Sequence, residues 1–333
     1  MQNTHNNDSS GEFSLSHALP IGYCFNEFEI EEVIGEGGFS IVYRAWDHRL
    51  KRTIAIKEYM PSILVVRRQD LKLNLRRASL KKRFQIGLHN FMREAHLMTC
   101  FNHPCLPHFL RFWQQNSTAY IATPFYSGMT LKKLQTKRPK IINQNWIYNM
   151  LFPLLDAIDT LHQAGYLHCD ISLDNILIQD DQLPILLDLG SARKATERLS
   201  DEKEVTISPG FTAVEQYTVN EEGQQGPWTD IYSLGAVLHT LIVGTPPPVS
   251  IVRNIEDNYQ PLSKLCPAGY SSSFLHVIDR TLKIKLSERP LSITELMTQI
   301  KASTIKTCRV PVLSYTRPNT FTAYVPPVSS NSE

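Results

Sequence analysis

Asp170, Asn175 and Asp188 stand close together in the chain. They lie in His168-Cys169-Asp170-Ile171-Ser172-Leu173-Asp174-Asn175 and in Leu186-Leu187-Asp188-Leu189-Gly190. The second stretch reads as a buried strand that carries Asp188 to its end, and the first as a loop that presents Asp170 and Asn175 beside it. Two carboxylates and one carboxamide at this spacing suit one kind of chemistry. One carboxylate can orient a hydroxyl and take up its proton, while the other carboxylate and the amide oxygen hold a divalent cation on a polyphosphate. The stretch alone would also serve as a polar loop capping a helix, so the elements around it have to decide.

Residues 27–34 alternate in polarity as a half-buried strand does. They run into Gly35-Glu36-Gly37-Gly38-Phe39-Ser40 and a second strand over 41–45. A glycine-rich turn between two strands lets backbone amides close over phosphates, unlike the turn of a Rossmann unit, which leads into a helix. A third strand, 53–58, alternates around Lys57, which on a surface strand would be a solvated edge residue. The helical stretch 84–98 offers Glu94 as a partner for that lysine, with Arg93 beside it as a solvated neighbour. A strand over 119–123 leads into Pro124-Phe125-Tyr126-Ser127-Gly128. The helix expected over 146–165 has an apolar stripe at Ile147, Met150, Leu151, Leu154, Leu155, Ile158 and Leu161 and ends at a glycine. His162 on it reads as packed or solvated. A short strand, 176–178, follows the polar loop, and the last helices end near Ala302.

Composition narrows the class. Apolar residues make up 42% and charged residues 20% of 333, enough for a proper core in one large or two smaller domains. A net charge of +2 gives no reason to invoke nucleic acid or a membrane. The six cysteines are scattered, with no Cys-x-x-Cys, and read as free thiols of a reducing cytoplasm. The polar first residues lack a signal core, and no run of about 18 apolar residues appears.

Taken together, in this order, these motifs resemble bacterial protein kinases of the eukaryotic-like serine/threonine type. The loop pair His-x-Asp-x-x-x-x-Asn and Asp-x-Gly is joined by Ile56-Lys57-Glu58-Tyr59-Met60-Pro61-Ser62 and by Gly210-Phe211-Thr212-Ala213-Val214-Glu215-Gln216-Tyr217. The resemblance spans 27–302 and implies an α+β fold of two lobes, a small antiparallel sheet with one helix and a larger, mainly helical part. It implies a first lobe over 23–126 with an insert at 58–83 and a second over 127–302; by composition, 1–22 reads as a disordered tail and 303–333 as a flexible tail or a partner-binding strip.

The resemblance also implies roles. Asp170 would orient the acceptor and take its proton, and Asn175 and Asp188 would hold Mg²⁺. Lys57, fixed by Glu94, would grip the α- and β-phosphates of ATP. Ile34, Gly35, Gly37, Gly38 and Val42 would cover the nucleotide, Ala55 and Leu177 would bound the adenine, and Thr123 would stand as gatekeeper. The Pro124 carbonyl and the Tyr126 amide would meet the adenine edge, and Ser208 would help place the acceptor near Asp170. Glu215 would pair with Arg289, and Asp230 would anchor the catalytic loop from below.

Several positions depart from that pattern. Ser40 replaces a third glycine, Val214 a proline and Leu189 a phenylalanine. Cys169 replaces the arginine that receives an activation-loop phosphate, so loop phosphorylation is not expected to be the switch. Ser172 replaces a lysine that neutralises the γ-phosphate. Oxidation of Cys169 would shut the site, whereas a buried thiol would be inert. The implied activity is transfer to protein Ser or Thr hydroxyls. The alternatives are a pseudokinase scaffold that binds nucleotide without turnover and a small-molecule kinase, a class that lacks the long 188–215 segment. The insert, with Arg67, Arg68, Lys72, Arg76, Arg77, Lys81, Lys82 and Arg83, reads as a solvated, partly helical stretch or as a face for an acidic partner. Ser79 in Arg76-Arg77-Ala78-Ser79 matches a target of basic-directed kinases. The expected location is cytoplasmic, with delivery into another cell left open.

Overall fold

The computed structural model describes residues 17–195, 207–217 and 225–305. Alternating β-branched and aromatic residues build a six-stranded antiparallel sheet from β1 (Cys24–Phe25), β2 (Phe28–Glu36), β3 (Ser40–Asp47) and β4 (Arg52–Tyr59). A small hairpin, β5 (Val65–Arg67) and β6 (Leu73–Leu75), precedes helix α1 (Lys81–Cys100). Strands β7 (Arg111–Gln115) and β8 (Thr118–Pro124) then complete the sheet, in the order β1-β2-β3-β4-β8-β7. Lys57 therefore lies on a central strand, flanked by Val42 of β3 and Ile121 of β8, and not on an edge.

Past residue 126 the chain is mainly helical. Strand β9 (Gly128–Thr130) leads into α2 (Leu131–Lys137) and α3 (Gln144–Gln163), whose Asn143 cap accepts from the Trp146 amide at 3.1 Å. The apolar stripe read for α3 is buried throughout, and Gly165 just beyond it has φ +78°. Short strands β10 (Tyr166–Leu167), β11 (Ile176–Gln179), β12 (Pro184–Leu186) and β13 (Arg193–Lys194) frame the polar loops. Strand β11 sits between β12 and β9, and β10 pairs with β13. Helices α4 (Pro227–Val243), α5 (Ser250–Ile255), α6 (Leu262–Leu265), α7 (Ser272–Thr281) and α8 (Ile293–Ile305) complete the larger part. One core lies on a face of the sheet, around Ile30, Ile41, Tyr43, Ile54 and Ile56. The other runs from α1 and the β8 residues Ala119 and Ile121 continuously through α3, α4, α7 and α8.

Four expectations are corrected. Residues 17–22 are not a tail: Leu19 is buried, its amide donates to the Tyr43 hydroxyl at 3.0 Å, and the His17 carbonyl accepts from Arg67 at 2.8 Å. The last helix runs to Ile305, with Ser303 buried against α3 and α7, so the chain is helical past 302. The insert holds a β-hairpin ahead of its helical end, and Arg67 in that hairpin is buried on Glu58 at 2.6 Å instead of standing in solvent. Arg93 is not solvated either, because it donates to the Ala192 carbonyl at 3.0 Å. The expectations for 1–16 and 306–333, and for the 196–206 part of the activation segment, lie outside the described residues.

Candidate active site

Side chains alternate across a strand, so the face of β4 that carries Ala55 and Lys57 looks toward α1 and β11. Lys57 Nζ reaches Glu94 Oε1 at 2.7 Å, Glu94 Oε2 at 3.0 Å and Asp188 Oδ1 at 2.9 Å. One cation thus holds two carboxylates from elements far apart in sequence. Burial opposes the charge on Lys57, but Asp188 and Glu94 outweigh it, and the ammonium is held well above its ordinary value. Burial pushes the Glu94 carboxyl up to about 7 against the pull of Lys57, with Asp188 adding to the rise. Burial would raise Asp188 too, yet Lys57 and the Gly190 amide, 2.9 Å away, keep it below the usual carboxylate range. Asp188 itself has φ +62°, a left-handed conformation that costs a non-glycine residue about 1 kcal/mol or more.

The loop 168–175 is stitched to Asp188 from below. The Leu187 amide donates to the Asn175 carbonyl at 2.7 Å, and His168 Nε2 donates to the Leu187 carbonyl at 3.1 Å. His168 Nδ1 accepts from the Asp170 amide at 3.3 Å, which fixes which ring nitrogen carries the proton. Asp230, at the start of α4 and fully buried, accepts from the His168 and Cys169 amides, both at 2.8 Å, and pairs with His162 at 2.8 Å. His162 is therefore packed into the support of the loop. These bonds hold Cys169 at φ +65°.

Asp170 stands on that loop with both oxygens engaged by neutral donors. Ser208 Oγ donates to Oδ1 and Asn175 Nδ2 to Oδ2, each at 2.9 Å. Burial raises the Asp170 carboxyl above its ordinary value, and the Ser208 bond works against that rise. Asn175 Nδ2 also donates to the Asp170 carbonyl at 2.9 Å, which leaves the carboxamide oxygen for a cation. Ser208 is held by the turn that follows it. Gly210 there has φ +85°, and a Cβ would come within 2.8 Å of Pro246. The segment closes with Glu215 bound by Arg289 at 2.8 and 3.2 Å, both buried, and with Gln216 donating to the Cys169 carbonyl at 2.8 Å.

A cavity of about 260 Å³ opens beside Lys57, Asn175 and Asp188, and Asp170 and Ser208 are not among its walls. Ile34, Val42, Ala55, Lys57, Thr123, Tyr126, Leu177, Asn175 and Asp188 all line it, with Glu94 at its inner wall. Ala55 and Thr123 are register partners across β4 and β8. Gly35, Gly37, Gly38 and Pro124 are not among its walls; Gly35 pairs with Val42 near the end of β2, and Gly37 and Gly38 form the turn between β2 and β3 that adjoins it. A Cβ at Gly37 would meet nothing closer than 3.7 Å and one at Gly38 nothing within 4 Å. The fold itself does not require glycine at these two positions, so the clearance is available to a ligand that approaches the backbone. Ser40, read in place of a third glycine, also lines the cavity, and Met98, Pro107, Ile121, Phe125 and Leu187 line it and were missed. Met98 stands one helical turn after Glu94, and Ile121 two residues before Thr123 on a strand, so helical and strand periodicity carried the signal for both.

Among the described residues no group of three or more His, Cys, Asp or Glu could hold a metal alone. A cation here would have one carboxylate and one carboxamide oxygen, and would take its other ligands from water or phosphate. That oxygen-only, incomplete donor set fits Mg²⁺ on a nucleotide.

Cys169 is buried, with Arg193 donating to its sulfur at 3.2 Å. Burial and the Asp230 carboxylate push its thiol up to about 12 despite that arginine, so almost no thiolate exists near neutral pH. Iodoacetamide applied to the native protein should therefore label the exposed Cys24, Cys100 and Cys266 and spare Cys169 until the chain unfolds. Peptide mapping that finds early label on Cys169 would contradict this.

An antiparallel sheet with one helix, a helical part below and a cleft holding a lysine between two carboxylates together define a two-lobed protein kinase. A family model for the protein kinase domain matches residues 28–300, and the chain belongs to that family. Bacterial serine/threonine kinases are among its relatives, as the resemblance implied. It is 28% identical over 270 residues to a probable serine/threonine-protein kinase of Clostridium acetobutylicum, covering 77% of this chain and 37% of that one. It is 29% identical over 253 residues to the serine/threonine-protein kinase PknD of Protochlamydia amoebophila, covering 68% and 24%. A solved structure described as the apo form of PpkA-294 is 59% identical, with a TM-score of 0.79, covering 86% of this chain and 100% of that one. The chain spans two fifths or less of the length of the curated relatives named here.

Proposed function

We propose that this chain transfers the γ-phosphoryl group of ATP to Ser or Thr hydroxyls of protein substrates. The observation that carries the reading is the contact of Lys57 with both Glu94 and Asp188 in the cleft that also holds Asn175. Lys57 binds the α- and β-phosphates, and Glu94 keeps it in place. Asp170 accepts a hydrogen bond from the incoming hydroxyl and takes its proton as the new P–O bond forms and the bond to the ADP oxygen breaks. Asp188 and the Asn175 oxygen hold Mg²⁺, which supplies neutralisation of the phosphate charge when bound. Ser208 exchanges its bond to Asp170 for one to the acceptor side and so helps place it.

The test is incubation with Mg-ATP and phosphosite mapping by mass spectrometry, beside an Asp188→Asn control. Phosphate on Ser or Thr in the wild type alone supports the reading. ATP binding without transfer to itself or to casein would replace it with the pseudokinase scaffold, which the buried, uncharged Ser172 favours.

Outside Arg67, the cations from Arg68 to Arg83 in the insert are exposed and suit an acidic partner. No helix among the described residues is long and apolar enough to cross a membrane. An enzyme that uses ATP and keeps free thiols fits the cytoplasm.

A further inference from the structure

The β3–β4 ladder does not stop where the strands end. Beyond the Ser40–Tyr59 pair, the Met60 amide donates to the Phe39 carbonyl at 2.9 Å and the Ser62 amide to the Gly38 carbonyl at 3.2 Å. Two carbonyls at the tip of the glycine-rich turn are thereby held by the chain that follows Lys57. A glycine turn without such partners would be among the least stable parts of the sheet.

The holding segment is itself fixed. Arg76 donates from Nε to the Ser62 carbonyl at 2.8 Å and from its amide to the Leu64 carbonyl at 2.9 Å, closing a loop around the β5–β6 hairpin. At the turn end of that hairpin Arg67 meets Glu58, which also accepts from Tyr43 at 2.6 Å and Tyr120 at 2.8 Å. The Leu73 amide donates to the Asn116 carbonyl at 2.8 Å, tying the hairpin to the β7–β8 turn. Just before the segment, the last residue of β4 reaches α1. Tyr59 packs its ring against Phe84 and Phe91, and α1 comes so near at Gly87 that a Cβ there would overlap the Tyr59 hydroxyl.

We infer that residues 60–76 form a strap that sets the glycine-rich turn over the nucleotide phosphates, with the Ser62 amide and the Arg76 guanidinium as its positioning groups. The strap begins three residues after Lys57 and leads within five residues into the helix that bears Glu94. It therefore fixes phosphate cover, phosphate-binding lysine and helix as one unit in the free protein. This deepens the reading above, since it assumes that the cleft takes a nucleotide.

Hydrogen exchange on the nucleotide-free full chain tests the strap without any assay of activity. The Met60 and Ser62 amides should exchange slowly, as strand amides do; exchange at the rate of an unstructured peptide would overturn the inference. Arg76→Gln should raise exchange at Ser62 and at the tip of the turn. It should also raise the KM for ATP roughly five- to tenfold, the effect of one charge-assisted hydrogen bond, with kcat close to wild type. A fall in kcat at unchanged KM, or no change in either, would count against it. If the chain transfers no phosphate at all, the function above fails, yet exchange and the Kd for ATP of the same variant still decide the strap.

Discussion

Asp188→Asn is expected to lower phosphoryl transfer by roughly 10²–10³-fold at saturating Mg-ATP, the loss typical of one stabilising group removed from a preorganised site. The substitution keeps the shape of the side chain and removes the charge that a cation on the phosphates needs. Lys57 retains Glu94 at 2.7 Å, so the fold has little reason to change. Initial rates across a Mg²⁺ series, with thermal melts alongside, check both halves. A deficit below about tenfold would take Asp188 out of the role assigned to it.

The largest effect on stability is expected from Arg289→Ala. Its guanidinium is buried on Glu215 at 2.8 and 3.2 Å, and it also donates to the carbonyls of Lys283, Ile284 and Trp228. Removing it leaves a buried carboxylate, with Thr229 as a neutral donor, and takes one donor from each of three carbonyls. Breaking such a pair from one side costs about 3–5 kcal/mol. For a chain of this size that is a fall in Tm on the order of 10 °C. The doubly substituted Glu215→Gln/Arg289→Met protein should lose less than Arg289→Ala, because no unpaired charge remains. Differential scanning calorimetry on the three proteins separates these outcomes, and a double variant no better than the single one would refute the argument.

Much of the fold and site was legible because it rests on local chemistry in a strict order. Alternation around Lys57, the stripe on α3 and the polar loops at 168–175 and 188 each need only their own neighbours to be read. What escaped depends on partners distant in sequence. Arg67 looks like one more surface cation in a basic run, and only Glu58 of β4, with Tyr43 and Tyr120 behind it, makes it a buried residue. Arg93 looks solvated until the Ala192 carbonyl is brought to it by the fold. The boundary expected at 22 failed because His17 and Leu19 bind through backbone atoms, which no side-chain pattern advertises. The hairpin inside the insert escaped because its two strands are three residues each, too short for alternation to declare itself.

The continuous core beneath α1 sets how the molecule comes apart. Phe91, Ala95 and Met98 of that helix and Ile121 of the sheet share their apolar surroundings with the helices of the larger part. The division near residue 126 is thus a division of labour rather than of folding. A gene cut there would give two fragments, each with half of a common interior open to water. Heat should melt the intact chain in one cooperative event, so a lesion in either half is felt as loss of the whole.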